Sequence, residues 1–205
     1  METPSGFDRR EGGEGRLKIP TTRFGTLEIG ADQIIQVPTG IIGFPECKRY
    51  VLLEHRQGSS FFWLQSLDNE ALAFVVINPL LFQPDYTFDL SPEDRQALEI
   101  QNGQAELQTL AIVNIAHREK DERTIEITAN LLGPIVVNIP KRLARQLILD
   151  KYQLFPRLVQ DMRAFEATQP GSQVQTIHIP ATRPKPLTLW QRLPIYGQRL
   201  KMKLP

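Results

Sequence analysis

The chain has 205 residues, a formal net charge of +1 and a hydrophobic fraction of 41%, which supports a packed core and excludes wholesale disorder. It contains no apolar run of about 18 residues, so no membrane-spanning helix is expected. Its single cysteine, Cys47, excludes an intramolecular disulfide and most zinc sites, and indicates a reducing, cytoplasmic location.

The first part of the chain changes from a polar tail to a series of strands. Residues 1–20 are predicted to be a disordered tail, because glycine is frequent and large apolar side chains are rare. Beyond them, short apolar runs recur between Gly, Pro, Asp and Asn residues, a pattern typical of β-strands. Strands are predicted at 24–29, 33–37, 49–55, 60–67, 72–77, 107–116, 124–129, 134–139 and 146–149. The fold class is therefore all-β and mainly antiparallel, as a barrel or a sandwich over residues 21–154.

Two strands and one helix carry more specific expectations. The runs at 72–77 and 134–139 are apolar on both faces and are expected to be buried on both sides. A helix is predicted over 91–98, with Ser91 as N-cap and Pro92 at the first helical position.

The C-terminal part of the chain has a different composition. An amphipathic helix is predicted over 155–167 and one further strand at 174–179, so residues 155–179 form an appended unit. Residues 180–205 are rich in proline and basic side chains and are interpreted as an extended tail.

The net charge of +1 hides a strong separation of charge along the chain. Residues 167–205 carry six basic residues and no acidic one, whereas residues 57–117 carry eight acidic residues against Arg95. Such a separation can steer association with oppositely charged partners. The alternative is a solvated face that only keeps the protein soluble.

The sequence offers no convergent set of catalytic groups. It lacks a Walker A motif, a G-x-S-x-G motif and a G-x-G-x-x-G motif, and its three histidines have no cysteine or histidine at metal-ligand spacing. We therefore predict a protein that is not an enzyme and has no metal or cofactor. The acidic stretch argues against direct nucleic-acid binding by the barrel, since its negative charge repels phosphate. No membrane association is predicted.

Several segments, in order and spacing, resemble a known family. They are FGTLEI (24–29), VPTGIIGF (37–44), FFWLQSLDNEALAFVVINP (61–79), FQPDY (82–86), TANLLGPIVVN (128–138) and RQLILD (145–150). Each is short, but together they identify the chain as similar to FliW, the flagellar assembly factor. The resemblance covers about two-thirds of the chain and leaves residues 155–205 unexplained.

The resemblance implies a small β-barrel-like fold and a function through binding. Proteins similar to FliW bind CsrA, a basic RNA-binding protein that represses translation of flagellin mRNA, and they also bind flagellin. Flagellin that remains in the cytoplasm occupies FliW and leaves CsrA free. After flagellin export, FliW binds CsrA and lifts repression by an allosteric antagonism.

A basic partner is expected to be attracted to the acidic stretch, with apolar residues as anchors. The predicted protein-binding residues are three in the loop between two buried strands, further acids beyond it, and two aromatic anchors: Asp68, Asn69, Glu70, Asp85, Asp89, Glu99, Tyr86 and Phe88. Phe62 is a further candidate anchor, although a core position is the more frequent role of such a residue. Two alternatives remain open, a flagellin-specific chaperone without a regulatory role and an RNA-binding module that uses the basic C-terminal tail.

Overall fold

The computed structural model describes residues 16–55, 58–101, 105–118, 121–150 and 154–156. Within these residues the chain forms one α-helix, α1 (Pro92–Ala97), two short 3-10 helices (Ala31–Gln33 and Pro79–Leu81) and eleven strands. The strands are β1 (Arg16–Thr21), β2 (Gly25–Gly30), β3 (Ile34–Gln36), β4 (Arg49–Glu54), β5 (Phe61–Ser66), β6 (Ala73–Ile77), β7 (Leu107–Arg118), β8 (Asp121–Asn130), β9 (Ile135–Asn138), β10 (Leu143–Gln146) and β11 (Leu154–Pro156).

Seven of these strands close into a barrel. Their order is β7-β6-β5-β4-β3-β10-β9, and β9 pairs back onto the first part of β7. The β3–β10 pair is parallel, and the other pairs around the barrel are antiparallel. The second part of β7 pairs with β8, which in turn pairs with β11, so the sheet extends beyond the barrel. The predicted all-β, mainly antiparallel barrel is confirmed.

Side chains alternate between the inside and the outside of the barrel, as the period of a strand requires. The interior is filled by one apolar cluster that includes Ile35, Tyr50, Leu52, Leu64 and Ile135. Because a small barrel has room only for side chains, this interior is a packed core rather than a channel.

Two additional layers cover the outer faces of the barrel. The β1–β2 hairpin places Leu27 and Ile29 on the outward side chains of β4 and β5, among them Trp63. The segment from residue 79 to 100 covers the outer faces of β7, β8 and β9 with Tyr86, Phe88, Leu90 and Leu98. The expectation of burial on both sides is confirmed for β9, whereas the first three residues of β6 are only half-buried.

The helix prediction near residue 91 is confirmed in detail. The Ser91 hydroxyl accepts a hydrogen bond from Asp94 N at 3.1 Å, and the Asp94 carboxylate accepts one from Ser91 N at 3.3 Å. This reciprocal capping box satisfies two N–H groups at a helix terminus and fixes where α1 begins.

Three predicted boundaries differ from the structure. Strand β1 lies partly within the tail expected to be disordered, because Leu17 and Ile19 pair with Ile29 and Leu27 of β2. The last predicted strand, 146–149, is replaced by β10 at 143–146. The apolar residues that follow β10 still form two backbone hydrogen bonds, from Leu147 N and Leu149 N to the carbonyls of residues 134 and 132.

The predicted helix over 155–167 is wrong at its start, where β11 pairs with β8 as an extended strand. The remainder of that helix, the predicted strand at 174–179 and the basic tail at 180–205 lie outside the described residues.

Candidate interaction surface

The loop between β5 and β6 contains three of the predicted binding residues, and hydrogen bonds from the end of β5 shape it. The Ser66 hydroxyl accepts bonds from Asp68 N at 3.2 Å and from Asn69 N at 3.1 Å. The buried Gln65 amide donates from beneath the loop to the carbonyl oxygens of Ser66 and Leu72 at 2.9 and 3.0 Å. The loop is therefore held in one shape by side chains that the sequence places next to it.

The Asp68 carboxylate joins this loop to the start of β4. One oxygen accepts bonds from Lys48 N and Arg49 N, both at 2.7 Å. The other accepts the Arg49 guanidinium, with Nε and Nη2 each at 2.7 Å. A carboxylate with this many donors is already engaged within the protein, and its side chain is only 20% exposed. Asp68 is therefore a structural clamp rather than a free surface charge.

The environment of Asp68 changes its pKa in a direction that reflects this role. Partial burial alone raises the pKa of Asp68, but the bonds from Lys48 N and Arg49 N and the Arg49 guanidinium outweigh it, so the pKa lies below its ordinary value. The charged form is the one that the fold stabilises.

Asn69 and Glu70 occupy the tip of the same loop and are both exposed. The Asn69 side chain accepts a bond from the N–H two residues further on at 3.1 Å, which is an Asx turn. The Glu70 carbonyl accepts a bond from Thr22 N at 3.0 Å and so connects the loop to the β1–β2 hairpin. Its carboxylate forms no ion pair with another described residue.

Residues 85–90 form an alternating stretch in which acids face outward and apolar residues face inward. Asp85 and Asp89 are exposed, and the Asp85 carboxylate accepts a bond from the Gln83 amide. Tyr86 and Phe88 are only 1% and 3% exposed and pack edge to face against each other. These two rings belong to the core, so their prediction as surface anchors is replaced by a structural role.

Tyr86 also has a specific polar contact. Its hydroxyl donates a hydrogen bond of 2.7 Å to the carbonyl of Leu131, which fixes the covering segment onto the end of β8. Phe62, the other candidate anchor, is likewise a buried residue inside the barrel.

Two acids near α1 are paired with cations from the β9–β10 region. Glu99 has a positive φ of 51° and lies 3.3 Å from Lys141 Nζ, with both side chains about half exposed. Asp94 accepts the Arg145 guanidinium at 2.7 Å. Both pairs partly neutralise the acidic stretch, and they also attach α1 to the barrel.

The structure thus divides the predicted residues into two groups. Asp68, Asn69 and Glu70 share one loop, whereas Asp85, Asp89 and Glu99 lie on the segment that covers the outer face. Among the described residues, no hydrogen bond or ion pair connects the two groups.

The residues that sequence reasoning missed are exposed and apolar. Ile42 is 61% exposed, Phe44 is 38% exposed and Ile148 is 83% exposed. A signal was present in the sequence: Ile41 and Ile42 are adjacent in a short turn between Gly40 and Gly43, and neighbouring side chains of such a turn cannot both point into the core. Ile41 is buried in the barrel and Ile42 faces solvent.

No group of three or more His, Cys, Asp or Glu residues in the described part of the chain could hold a metal ion. Cys47 is buried beside the barrel interior. None of the helices in the described ranges is long and apolar enough to cross a membrane.

Comparison with known proteins gives a consistent result. The family described as FliW protein matches residues 18–157. A protein of Natranaerobius thermophilus named flagellar assembly factor FliW is 38% identical over 133 residues, which cover 65% of this chain and 85% of the relative. Proteins of the same name from Syntrophus aciditrophicus and Desulfitobacterium hafniense are 42% and 38% identical, over 65% and 76% of this chain and 81% and 99% of their own lengths.

A solved structure agrees with the fold. The crystal structure of the flagellar assembly factor FliW superimposes with a TM-score of 0.57 at 36% sequence identity, over 68% of this chain and 93% of the other. The matched family covers more than half of the chain, from β1 through β11. The closed barrel and these relatives together establish that the chain belongs to the FliW family.

Proposed function

We propose that the chain is a flagellar assembly factor that acts by binding rather than by catalysis. It binds a CsrA-type translational repressor in the cytoplasm, antagonises it allosterically, and also binds flagellin. Flagellin synthesis is thereby coupled to flagellin export. Membership of the FliW family is the observation that carries this proposal.

The distribution of charge supports a basic partner. Glu70 and Asp89 are exposed acids that form no ion pair with another described residue, and Asp85, four positions before Asp89, is also exposed. Unpaired surface carboxylates raise the association rate of a basic protein, and salt weakens the effect. Asp68 contributes less to such attraction because Arg49 already neutralises it.

The binding surface in this proposal contains the loop residues Asn69 and Glu70 and the exposed acids of the covering segment. Asp68 holds the loop in shape, and Glu99 contributes through a charge shared with Lys141.

The proposal is tested by titrating the full chain with the CsrA-type repressor and with flagellin at about 50 mM and about 300 mM salt. In the double variant Glu70→Gln, Asp89→Asn, the association rate with the repressor is expected to fall several-fold at low salt and to approach the wild-type rate at high salt. Asp32→Asn, Glu46→Gln is the matched control, since it removes two exposed acids that lie outside the acidic stretch and form no ion pair with another described residue.

The outcomes separate the alternatives. Absence of binding to both proteins contradicts the proposal. Binding to flagellin alone indicates a flagellin-specific chaperone without a regulatory role. RNA retention that disappears when residues 180–205 are deleted, without any repressor binding, indicates an RNA-binding module.

A further inference from the structure

The buried amide of Gln65 gathers the carbonyl oxygens of the loop between β5 and β6. Its Nε2 atom donates to Ser66 O at 2.9 Å and to Leu72 O at 3.0 Å, and it lies 3.4 and 3.3 Å from the carbonyl oxygens of Asn69 and Glu70. Carbonyl dipoles that point at one place repel each other unless a donor stands between them. Because Gln65 is fully buried, the shape of the loop depends on this amide rather than on water.

A second buried glutamine shows that this arrangement is particular to the loop. Gln108 on β7 is also buried, and its Nε2 donates to Thr109 O at 2.9 Å, the carbonyl of the next residue. Gln65 makes the same contact with Ser66 O and then reaches three further carbonyls that belong to the loop. The additional contacts of Gln65 therefore serve the loop and are not a requirement of burying a glutamine on a strand.

The neighbouring Ser66 binds the N–H groups of the same loop. Its hydroxyl accepts the bonds from Asp68 N and Asn69 N, and its own N–H donates to Leu72 O at 2.9 Å. Ser66 is fully buried as well. The end of β5 thus holds both the N–H groups and the carbonyl oxygens of the loop, and the backbone is fixed before a partner arrives.

This support leaves the tip of the loop facing solvent. Asn69 and Glu70 are exposed, whereas Gln65 and Ser66, which hold their backbone, are out of reach of a partner. A preformed loop binds more tightly, because the partner does not have to order it. A loosened loop lowers the apparent affinity by the fraction of molecules that have the competent shape.

We propose that Gln65 and Ser66 are positioning residues for the partner-binding surface. They fix the loop between β5 and β6 in the shape that presents Asn69 and Glu70 to the basic repressor. The inference rests on the proposed function and deepens it, because it assigns part of the binding to two buried residues that do not touch the partner. Charge attracts the repressor from a distance, and the shape of the loop determines how often an encounter leads to binding.

The test uses the full chain and makes one substitution at two positions. Gln65→Met keeps the approximate size of the side chain but removes the amide. Gln108→Met is the matched control, since it makes the same change in a buried glutamine outside the loop. Ser66→Ala is a second variant, which removes the hydroxyl acceptor with little change in volume, and it decides alone if Gln65→Met does not fold. Thermal unfolding establishes that each variant is folded, and association with the CsrA-type repressor is measured at about 50 mM and about 300 mM salt.

Gln65→Met and Ser66→Ala are expected to lower the association rate at least about fivefold at both salt concentrations, because they change the fraction of competent loops and no charge. Gln108→Met is expected to stay within about twofold of wild type. This pattern differs from that of Glu70→Gln, Asp89→Asn, whose effect fades at high salt.

A normal association rate in either folded variant, or a loss that disappears at high salt, overturns the inference and leaves the proposed function intact. If the wild-type chain does not bind the repressor, the proposed function and the inference both fail.

Discussion

Replacing Asp68 by asparagine tests whether its carboxylate clamps two loops together. Asparagine keeps one acceptor oxygen but presents an NH₂ group where the carboxylate accepts a second set of donors. It also removes the charge that Arg49 pairs with at 2.7 Å. The free energy of unfolding is therefore expected to fall.

The size of this effect follows from the number of bonds. The carboxylate accepts two backbone N–H groups and the Arg49 guanidinium, and hydrogen bonds to a charged group contribute about 1.5–3 kcal/mol each. Water can reach the loop and replace some of the lost hydrogen bonds, and the asparagine side-chain oxygen still accepts others. We expect Asp68→Asn to lower the free energy of unfolding by about 2 kcal/mol at neutral pH.

The pH dependence gives the effect a distinct signature. Because the pKa of Asp68 is lowered from its ordinary value of 3.8, its contribution is fully present above that value and is lost as the pH falls through the folded-state pKa. The stability difference between wild type and Asp68→Asn is thus expected to be constant near neutral pH and to shrink under acidic conditions below 3.8.

Urea unfolding followed by tryptophan fluorescence measures both quantities, since Trp63 is buried on β5. Asp89→Asn is the matched control and is expected to change stability by less than about 0.5 kcal/mol, because Asp89 is exposed. A loss for Asp68→Asn no larger than that of the control refutes the clamp. A loss that persists unchanged in acid shows that the charge of the carboxylate is not its origin.

Three further changes test other parts of the structure by the same unfolding measurement. Tyr86→Phe removes the buried hydrogen bond to Leu131 and is expected to cost about 1 kcal/mol, so an unchanged stability would contradict that bond. Gly40→Ala forces a Cβ against the Phe44 carbonyl at a positive φ and is expected to destabilise by about 1–3 kcal/mol, and a neutral result would show that the loop relaxes freely. Asn138→Ala removes the 2.7 Å donor to the buried carbonyl of Leu98, the C-cap residue of α1, and is expected to cost about 1–3 kcal/mol, so a neutral effect would contradict this role.

The parts of the fold that could be predicted from the sequence are those with local causes. The Ser91 capping box involves residues three positions apart, and it places the start of α1 as predicted. Strands with apolar runs and flanking turns were located within a few residues, because alternation and turn chemistry are read from neighbouring positions.

The role of Asp68 could not be read in this way, because its partners lie across the β4–β5 hairpin. The carboxylate accepts bonds from Arg49 N and Lys48 N, which precede it by 19 and 20 positions in the sequence. Only the register of β4 and β5 brings these groups together. The charge pattern alone predicts an exposed acid at Asp68. The strand register instead places its carboxylate against the donors of Lys48 and Arg49.

The misassignment of Tyr86 and Phe88 has a local explanation. The sequence of residues 85–90, DYTFDL, alternates acidic or polar residues with apolar ones, which is the pattern of an extended segment with one buried face. In the structure the acids face solvent and the rings face the core, so the same alternation predicts both roles. Consecutive side chains of an extended segment point in opposite directions, so the acids and the rings do not share one surface.

The acidic stretch is also weaker as an electrostatic surface than its sequence suggests. Three of the eight acids between residues 57 and 117 pair with cations from outside that stretch: Arg49 with Asp68, Lys141 with Glu99, and Arg145 with Asp94. A partner therefore meets fewer free carboxylates than the sequence contains, and they lie mainly at Glu70 and along the covering segment. Since exposed charges act over about one Debye length, attraction of a basic protein depends on those few residues, and high salt removes most of it.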